Sequence, residues 1–587
     1  MIDPAQLNAA YERVRHDLLA ERGSAGHWIG ELSSSALSTA TAVSALALVQ
    51  RHAPPHDRFD GLIAGAIRWM TTHQNGDGGW GDTDRSYSNI ATTMLVRAAL
   101  QLAGRAEEFS DAMAAGLRYV EAQGGLAGVR ARYGRDRTFA VPILTNAALA
   151  GQVAWSEVPP LPFELACVPQ RFYRFIRLPV VSYAIPALVA IGQARHVHRP
   201  SAWPWMRWLR RAAVAPSLRV LGKMQPDSGG YLEAAPLTCF VVMSLAATGR
   251  ADHPVARRGV QFLVDSVRPD GSWPIDTNLA TWTTTLAINA LAGGGEDVGA
   301  LDCLDWLLSC QHQRRHAFTG AAPGAWGWTD LSGAVPDADD TPGALLALAA
   351  CRDSPSCTAA DRFRINTAAE AGLGWLLDLQ NRDGGWPTFC RGWGKLPFDR
   401  SGADLTAHAL RAFQAWDGLA AGPRRERSIQ AAFRYLASQQ RPDGCWVPLW
   451  FGNQDHPGEE NPVYGTAKVL LAYRDFRRLE TEPAQRAVAW LCQARNPDGG
   501  WGGDGRRSSV EETALAVEAL AGGLLGDRGG NACDGGVRWL VEAVAAGRHR
   551  DASPIGFYFA KLWYYERLYP LLFTLAALGQ ARRRGNA

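Results

Sequence analysis

The sequence predicts an all-α fold in which helix pairs stack into a toroid with an inner and an outer ring. Three observations lead to this prediction. A Gln-to-Trp turn motif recurs along the chain, an apolar pattern of helical period follows each turn, and no strand alternation runs long enough to make a sheet. The chain has 587 residues, more than a single hydrophobic core usually holds, so two domains or one repetitive architecture are expected.

The turn motif combines an aromatic-Leu helix end, a Gln, an Asx-Gly turn and a Trp. The spacing is constant in the clear copies, which run from Gln74 to Trp80, Gln380 to Trp386 and Gln440 to Trp446. Weaker copies end in Trp273 and Trp501, and a degenerate copy ends in Tyr231. A Gln side chain can satisfy backbone groups exposed at a helix end, and the Trp can tie neighbouring turns together. We interpret most of these tryptophans as structural.

The composition is that of a globular protein without a nucleic-acid surface. Apolar residues make up 47% and charged residues 20% of the chain, the net charge is +3, and no long basic stripe is present. The ten cysteines include no CxxC pair and no His at zinc spacing, which favours reduced thiols in a cytosolic protein. No apolar signal core and no uncharged stretch of ~20 residues is present, which disfavours secretion and membrane spanning.

An acidic cluster is the feature of the sequence most suggestive of chemistry. Within the segment 324–350, Asp337, Asp339 and Asp340 directly precede a helical apolar run. Their mutual repulsion is only partly relieved by a helix N-terminus, so one of them should hold its proton unusually well. Alone, such a cluster is more often a solvated loop, a cation site or a helix cap made by Asp340 or Thr341. The Gly-Trp turn immediately upstream favours a functional acid instead.

Together, the Gln-to-Trp repeats and the motif VPDADDT make the chain resemble the squalene-hopene cyclases and the wider triterpene cyclase family, over essentially its whole length. The resemblance implies two α/α barrels with the acid in the cavity between them. Residues 1–22 would pack on the catalytic barrel, residues 23–280 would form the second barrel, and residues 281–587 would form the catalytic barrel. It also implies a proton-initiated polyene cyclisation that needs no metal and no organic cofactor.

The resemblance assigns roles to individual residues of the motif. Asp339 would be the proton donor, and Asp337 and Asp340 would hold and polarise it. The run Asp404-Leu405-Thr406-Ala407-His408 matches the family's Asp-x-Thr-x-His helix, in which the His hydrogen-bonds the acid. Without that match, His408 would be interpreted as an ordinary histidine of a helix.

Two further sets of residues follow from the same resemblance. Tyr464 matches a Tyr-Gly-Thr element whose phenol could relay a proton to the donor. The cavity wall must stabilise positive charge without acting as a nucleophile, and aromatic faces do this with ~0.5–2 kcal/mol per ring. The expected substrate-binding residues are Trp282, Trp328, Phe389, Asp404, Phe557 and Tyr564.

The chain departs from the hopene-forming members at the far end of the cavity. Their water-holding acidic and basic residues align with Thr39, Leu95 and Val141 of this chain, and an Asp aligns with Thr283. Ser553 and Lys561 stand where the family favours aromatic residues. The initiating half of the site matches and the terminating half does not, so we expect a different termination, product or polyprene.

The segments 171–193 and 203–211 mix Trp, Phe and Arg in the manner of membrane-interface anchors. We expect a cytoplasmic protein attached to one face of the membrane. A helix buried in the barrel or at a homodimer contact is the alternative for these segments.

Three functions are compatible with the sequence. The first is a cyclase, an intramolecular transferase or hydro-lyase, that acts on squalene or a related linear polyprene. The second is a diterpene-type cyclase that acts on a prenyl diphosphate, for which Arg391 and Lys395 could bind the phosphates unless they lie in a surface loop. The third is a non-catalytic helical toroid that binds lipid, against which the acidic motif and His408 argue.

Overall fold

The computed structural model describes residues 3–52, 58–134, 137–419, 422–503, 505, 507–522, 526–557 and 561–586. These residues form α-helices joined by turns, and their strands are only two or three residues long. The helices are α1 (Pro4–Ala20), α2 (Ala36–His52), α3 (Asp60–Thr72), α4 (Ile90–Leu102), α5 (Ser110–Ala122), α6 (Gly125–Tyr133), α7 (Arg137–Leu149), α8 (Gln170–Phe175), α9 (Val181–His198), α10 (Pro204–Met224), α11 (Ala235–Ala246), α12 (Pro254–Ser266), α13 (Ala280–Gly294), α14 (Leu304–Ser309), α15 (Asp340–Arg352), α16 (Ala359–Leu379), α17 (Ala403–Ala415), α18 (Pro423–Gln439), α19 (Pro462–Asp475), α20 (Glu482–Gln493), α21 (Val510–Ala521), α22 (Gly526–Ala545) and α23 (Tyr569–Asn586).

The strands pair into three small antiparallel sheets. One joins β1 (Ser34–Ser35) to β2 (Trp273–Pro274), and a second joins β3 (Trp386–Pro387) to β4 (Ser401–Gly402). The third runs in the order β5 (Phe451–Asn453), β6 (Ile555–Phe557) and β7 (Leu562–Tyr564). The β1–β2 and β5–β6 pairs join segments that are distant in sequence, whereas β3–β4 and β6–β7 pair segments close in sequence.

Helix contacts follow a cyclic order in two groups. In the C-terminal ring each inner helix contacts the next and the last contacts the first, in the order α13, α15, α17, α19, α21, α23. The outer helices of this ring are α14, α16, α18, α20, α22 and α1. In the N-terminal ring the inner order is α2, α4, α7, α9, α11, and α3, α5, α6, α10 and α12 pack outside. The predicted all-α fold of helix pairs is confirmed, while the division of the chain at residues 22 and 280 stays a prediction.

Burial explains which helices lie inside. The inner helix α2 buries every residue from Ala36 to Val49. The outer helix α20 buries only Ala484, Ala487, Val488 and Leu491, which recur at helical spacing on one face. A helix that is apolar all round must be covered on all sides, whereas an amphipathic one needs a single partner face.

The Trp386 turn shows what the repeated motif does. Nε2 of Gln380 donates to the carbonyl oxygens of Gly384 (2.8 Å) in its own turn and Ser428 (3.0 Å) in α18. The indole Nε1 of Trp386 donates to Leu376 (2.8 Å) in the last turn of α16, where helix carbonyls otherwise lack partners. The backbone N–H of Trp386 donates to Oγ1 of Thr406 (3.0 Å) in α17. The motif therefore ties one outer helix to the next outer helix and to an inner helix.

The other copies of the motif repeat these contacts. An N–H of the aromatic residue donates to a threonine hydroxyl of an inner helix at Trp28, Trp80, Tyr231, Trp273, Trp326, Trp446 and Trp501. The predicted tie between neighbouring turns is observed, but the indole, rather than the Gln, satisfies the carbonyl at the preceding helix end.

Two of the turns connect segments far apart in sequence and complete the rings. Trp28, which follows α1, donates its backbone N–H to Thr284 of α13 (3.0 Å), and α1 packs on α23 and α22. Trp273, which follows α12, donates to Thr39 of α2 (3.0 Å). The hydroxyl of Thr39, expected at the far end of the cavity, is thus committed to a turn contact, and Leu95 and Val141 are buried in the core of the N-terminal ring.

Candidate active site

The acidic cluster lies at the start of α15, where four backbone N–H groups hold it in place. The N–H of Asp337 donates to the carbonyl oxygen of Trp326 (3.0 Å), and that of Ala338 donates to Thr388 (2.8 Å). Oδ1 of Asp337 accepts the N–H groups of Asp339 (2.8 Å) and Asp340 (2.7 Å). Asp337 therefore satisfies the helix N-terminus, and the cap predicted at Asp340 or Thr341 is wrong because Asp337 already occupies these donors.

Asp337 and Asp340 form a buried carboxyl pair beside the third acid. Burial raises the pKa of Asp337 to about 7. Burial raises the pKa of Asp340 well above its ordinary value, and the charge of Asp337 adds to this effect. Together the two groups retain a proton at neutral pH, because two adjacent buried carboxylates cannot both ionise at low cost. The unusually tight proton expected from the sequence thus lies on the flanking residues.

Asp339 is joined to His408 on the adjacent inner helix, α17. Oδ1 of Asp339 lies 2.7 Å from Nδ1 of His408 on α17. The two side chains are 20% and 13% exposed, although Ala338, Thr341 and Ala407 beside them are completely buried, so their open side faces an internal cavity. Burial lowers the pKa of His408, against the raising influence of Asp339. A neutral His408 can donate its Nδ1–H to Oδ1 of Asp339, and Oδ2 of Asp339 takes no part in this contact.

Asp404 lies one helical turn before His408 but behind the cavity wall. Its side chain is buried, and its Oδ1 accepts the N–H of Leu449 (3.1 Å). Burial raises its pKa to about 7, and the charge of Asp339 contributes. Asp404, expected to bind substrate, is placed instead to hold the segment before Trp450.

Tyrosines and one tryptophan form the wall beside the acid. Nε1 of Trp282 donates to the hydroxyl of Tyr569 (3.1 Å), which lies 3.2 Å from the hydroxyl of Tyr564. The Trp282 ring meets the His408 ring edge-on at 6.1 Å. Tyr464 is buried on α19, and burial together with the charge of Asp339 raises its pKa well above the ordinary value. The structure therefore brings Trp282, Tyr464 and Tyr564 to the acid and adds Tyr569.

A second aromatic group begins next to the residue that holds Ala338. Phe389 lies 6.3 Å from Trp328, 5.4 Å from Tyr183 and 6.4 Å from Trp450, measured between ring centroids, and Phe398 lies at 6.1 Å. Nε1 of Trp450 donates to Oγ1 of Thr388 (2.6 Å).

Only part of this aromatic group is visible in the sequence. Trp328 and Phe389 were expected in the wall. Tyr183 lies in a segment that reads as a membrane anchor, and Trp450 lies in one that departs from the repeat pattern. The predicted Phe557 ends β6, and its side chain lies outside the described residues.

In the described ranges, no group of three or more His, Cys, Asp or Glu side chains is arranged to hold a metal ion. The arrangement around Asp339 can instead supply one proton from a carboxylic acid to a hydrophobic molecule and surround the resulting cation with aromatic faces.

The stability of the fold is expected to increase as the pH falls from 8 to 6.5. Burial raises the pKa of Asp337, Asp404, Glu511 and Glu566 to about 7. These groups bind protons more tightly when folded, so their contribution is lost as the pH rises through 7. Buried histidines such as His408, whose pKa burial lowers, reduce the stability as the pH falls, but only below about pH 6.5.

Thermal unfolding midpoints at several pH values test this expectation. The amide of Asp404→Asn cannot titrate, so the unfolding midpoint of this variant should change less with pH than the parent's. At pH 8 its midpoint should be higher than the parent's, which corresponds to a gain on the order of 1–3 kcal/mol in the free energy of unfolding. A midpoint that is flat or falls between pH 8 and 6.5 would contradict the assignment.

Comparison with known proteins identifies the family. Residues 11–197 match the squalene-hopene cyclase N-terminal domain, and residues 278–583 match the squalene-hopene cyclase C-terminal domain. The chain is 26% identical to the squalene–hopene cyclase of Alicyclobacillus acidocaldarius, over 84% of this chain and 91% of that protein. It is 34% identical to the drimenyl diphosphate synthase of Streptomyces showdoensis, over 48% of this chain and 47% of that protein.

A longer fungal relative and a solved structure extend the comparison. The chain is 26% identical to the enfumafungin synthase of Hormonema carpetanum over 92% of this chain, but spans only 45% of that protein's length. The ent-copalyl diphosphate synthase of Streptomyces platensis shares the fold, with a TM-score of 0.58, 21% identity, and coverage of 99% of this chain and 100% of that one. The C-terminal match alone covers more than half of the chain, and it includes Asp339 and His408. The chain therefore belongs to the squalene-hopene cyclase family.

Proposed function

We propose that the chain is a class II terpene cyclase, which protonates a double bond of a linear polyprene and guides the cation through ring closures to a polycyclic terpene. The observation that carries this proposal is the 2.7 Å contact between Asp339 and His408, with both groups open to a cavity walled by aromatic rings.

The first step is proton transfer from Asp339. The proton on Oδ2 is added to one alkene carbon, the π electrons form the new C–H bond, and the other carbon becomes cationic. The Nδ1–H group of His408 stabilises the carboxylate that remains on Asp339. Because Asp337 and Asp340 retain a proton between them, they add less negative charge beside the new carboxylate.

The cation is then held by aromatic faces. Trp282 and Tyr569 lie beside the acid, and Trp328, Phe389 and Trp450 extend the wall. Each face attracts a desolvated cation by ~0.5–2 kcal/mol without forming a covalent bond. Ring closure therefore proceeds faster than capture by the wall.

Squalene is the substrate that we propose first, since the family match and the Alicyclobacillus relative both point to it. A prenyl diphosphate is the second candidate, favoured by the 34% identity to a drimenyl diphosphate synthase. Arg391 and Lys395, considered for the phosphates, are exposed on the surface, so a diphosphate would need other partners.

Incubation with three separate substrates tests the proposal. Purified protein in detergent is given squalene, farnesyl diphosphate or geranylgeranyl diphosphate, and the products are identified by mass spectrometry after dephosphorylation where needed. Conversion of squalene supports the first candidate, and conversion of a diphosphate alone supports the second. Binding of these molecules without any conversion would support the lipid-binding toroid and overturn the cyclase proposal.

Replacement of His408 by Phe is expected to lower turnover by about a hundredfold, because loss of a positioned hydrogen-bond donor typically costs 10²–10³. The variant removes the contact to Asp339 and keeps a ring of similar size. His198→Phe, an exposed histidine on α9, is the matched control and should leave turnover unchanged. Equal turnover of His408→Phe and the parent would show that His408 does not support the acid.

We further propose attachment to one face of a membrane. Large aromatic residues are exposed on two helices that both pack on α9, at Phe172 and Phe175 in α8 and at Trp203, Trp205 and Trp208 at the start of α10. Arg171, Arg207 and Arg211, also exposed, lie among them and would face lipid phosphates. No helix in the described part of the chain is long and apolar enough to cross a bilayer.

The triple variant Trp203→Ser/Trp205→Ser/Trp208→Ser is expected to bind liposomes of mixed phosphatidylglycerol and phosphatidylcholine at least about tenfold more weakly, since each indole contributes apolar area to the interface. Flotation of the protein with the vesicles measures the change. Phe363→Ser removes an exposed aromatic residue on α16 and serves as the control. Undiminished flotation of the triple variant would rule out this surface.

A further inference from the structure

The degenerate turn that ends in Tyr231 continues into an unusual backbone. Leu232 and Glu233 both adopt left-handed conformations, with φ of 57° and 53°. Residues other than glycine rarely adopt this region, and where they do the conformation often serves a functional site. Here it carries the Glu233 side chain inward, where it is 1% exposed.

Glu233 lies beside a second carboxyl group. Its Oε1 accepts hydrogen bonds from Oγ of Ser228 (2.6 Å) and from the N–H of Gly333 (2.7 Å). Ala234, the next residue, pairs with Asp276 in an antiparallel bridge. Asp276 follows β2, so the two carboxyl groups come from different turns of the N-terminal ring and meet at its edge.

Three buried polar atoms at this place make no hydrogen bond of ordinary geometry, counted among the residues that the structure describes. They are Oε2 of Glu233, Oδ1 of Asp276 and Nε1 of Trp328. The Trp328 indole nevertheless lies close enough to stabilise the charged form of Asp276. Unpartnered buried polar groups are few in native proteins, and three that converge call for a functional explanation.

The ionisation of each carboxyl group in this pair is affected by burial and by the other group. Burial raises the pKa of Asp276 well above its ordinary value, and the charge of Glu233 adds to this effect. Burial likewise raises the pKa of Glu233. Ionisation of one group therefore disfavours ionisation of the other.

Of the two carboxyl groups only Asp276 is partly exposed, and a series of aromatic side chains links it to the acid. Asp276 is half-buried, next to the buried Ile275 and Trp273, and it lies against the half-buried Trp328. Trp328 contacts Phe389, which follows the residue that holds Ala338. The aromatic wall thus runs from Asp339 at one end to Asp276 at the other.

We propose that Asp276, supported by Glu233, is the base that ends the cyclisation, an assignment that rests on the proposed cyclase function. The ionised Asp276 removes a proton from a carbon next to the last cationic centre, and the electrons of that C–H bond form the final C=C bond. The pair then holds two protons and releases one to solvent, since Ser228, which bonds Glu233, lies beside the exposed Ser332 at the surface. Asp339 supplied one proton and the pair takes one up, so the hydrocarbon is isomerised with no other reactant.

Asp276→Asn and Glu233→Gln test the assignment, with Asp227→Asn as a matched control, because Asp227 is an exposed carboxyl of the same turn. Each protein is incubated with squalene, or with the prenyl diphosphate that the parent converts, and both substrate consumption and product distribution are measured. We expect the main product to fall at least about tenfold relative to products of earlier deprotonation or water capture, and substrate consumption to fall less than the main product. Asp227→Asn should give the parental distribution.

The remaining outcomes separate the two proposals. Asp276→Glu keeps a carboxyl group and should retain a deprotonated main product, which a merely structural role of Asp276 would not require. An unchanged product distribution in Asp276→Asn, or an equal loss of consumption and of every product, would overturn the assignment of the base. A parent that consumes no polyprene would instead overturn the cyclase function, and the base with it.

Discussion

Asp339→Asn is expected to reduce cyclisation at least about a thousandfold, because an amide cannot donate the proton that starts the reaction and a positioned general acid contributes 10²–10⁴. The amide retains the size of the side chain and can still contact His408, so the variant removes the acid while the cavity keeps its shape. Product formation from the substrate that the parent converts, measured by mass spectrometry, gives the comparison.

The fold of this variant should be unaffected. The helix N-terminus is held by Asp337, whose contacts to the N–H groups at 339 and 340 do not involve the side chain of Asp339. Asp330→Asn, an exposed acid nine residues upstream, is the matched control and should cyclise normally. If Asp339→Asn cyclised as well as the parent, another group would have to be the proton donor.

Trp501→Ala is expected to destabilise the protein by about 3–5 kcal/mol, the usual cost of removing a large buried aromatic side chain. Trp501 is fully buried, its indole donates to Leu491 (2.9 Å), and its backbone N–H donates to Thr513 (2.9 Å). The turn lies away from Asp339, so a loss of stability reports on the turn itself. The shift of the denaturation midpoint measures it.

Two further variants divide this loss into its causes. Trp501→Phe keeps most of the ring volume but loses the indole N–H, which leaves a carbonyl of α20 without its partner and should cost about 1–3 kcal/mol. Trp393→Ala removes a half-exposed tryptophan from a loop and should change stability by no more than about 0.5 kcal/mol. Equal midpoints for Trp501→Phe and the parent would show that the indole bond contributes nothing.

The repeated turns made most of the fold predictable, and the two copies without the regular Gln-to-Trp spacing, at Trp326 and Trp28, show why the remainder was not. In the regular copies the Gln precedes the Trp by six residues, and its amide bonds the carbonyl two residues before the Trp. Gln311 bonds the carbonyl of Gly324, which stands in the same relation to Trp326, but an insertion separates them by 15 residues. Trp28 has Arg22 where the Gln would stand. The turns therefore keep the same hydrogen-bond geometry even where the spacing between the Gln and the Trp differs.

The residues of the candidate site were predictable where they lie in a local sequence motif. Asp339 stands in a local motif, and His408 stands in a local helical pattern. Asp276 and Glu233 are separated by 43 positions and meet only because two turns stack at the edge of a ring. Tyr569 is likewise one of several tyrosines in its segment until Trp282 donates to it. Residues that are distant in sequence meet in this way only through the packing of the helices, which a local sequence pattern does not show.

The two long-range turn contacts set an order in which the chain can fold during synthesis. The N-terminal ring needs only the residues up to Trp273, so it can be complete while the remainder is still on the ribosome. The C-terminal ring takes α1 as an outer helix and α23 as an inner one, and therefore cannot close until almost the whole chain has emerged. Contacts of such high sequence separation are slow to form. During this delay the apolar face of α1, formed by Ala10, Tyr11, Val14 and Leu18, is uncovered and accessible to chaperones and to aggregation.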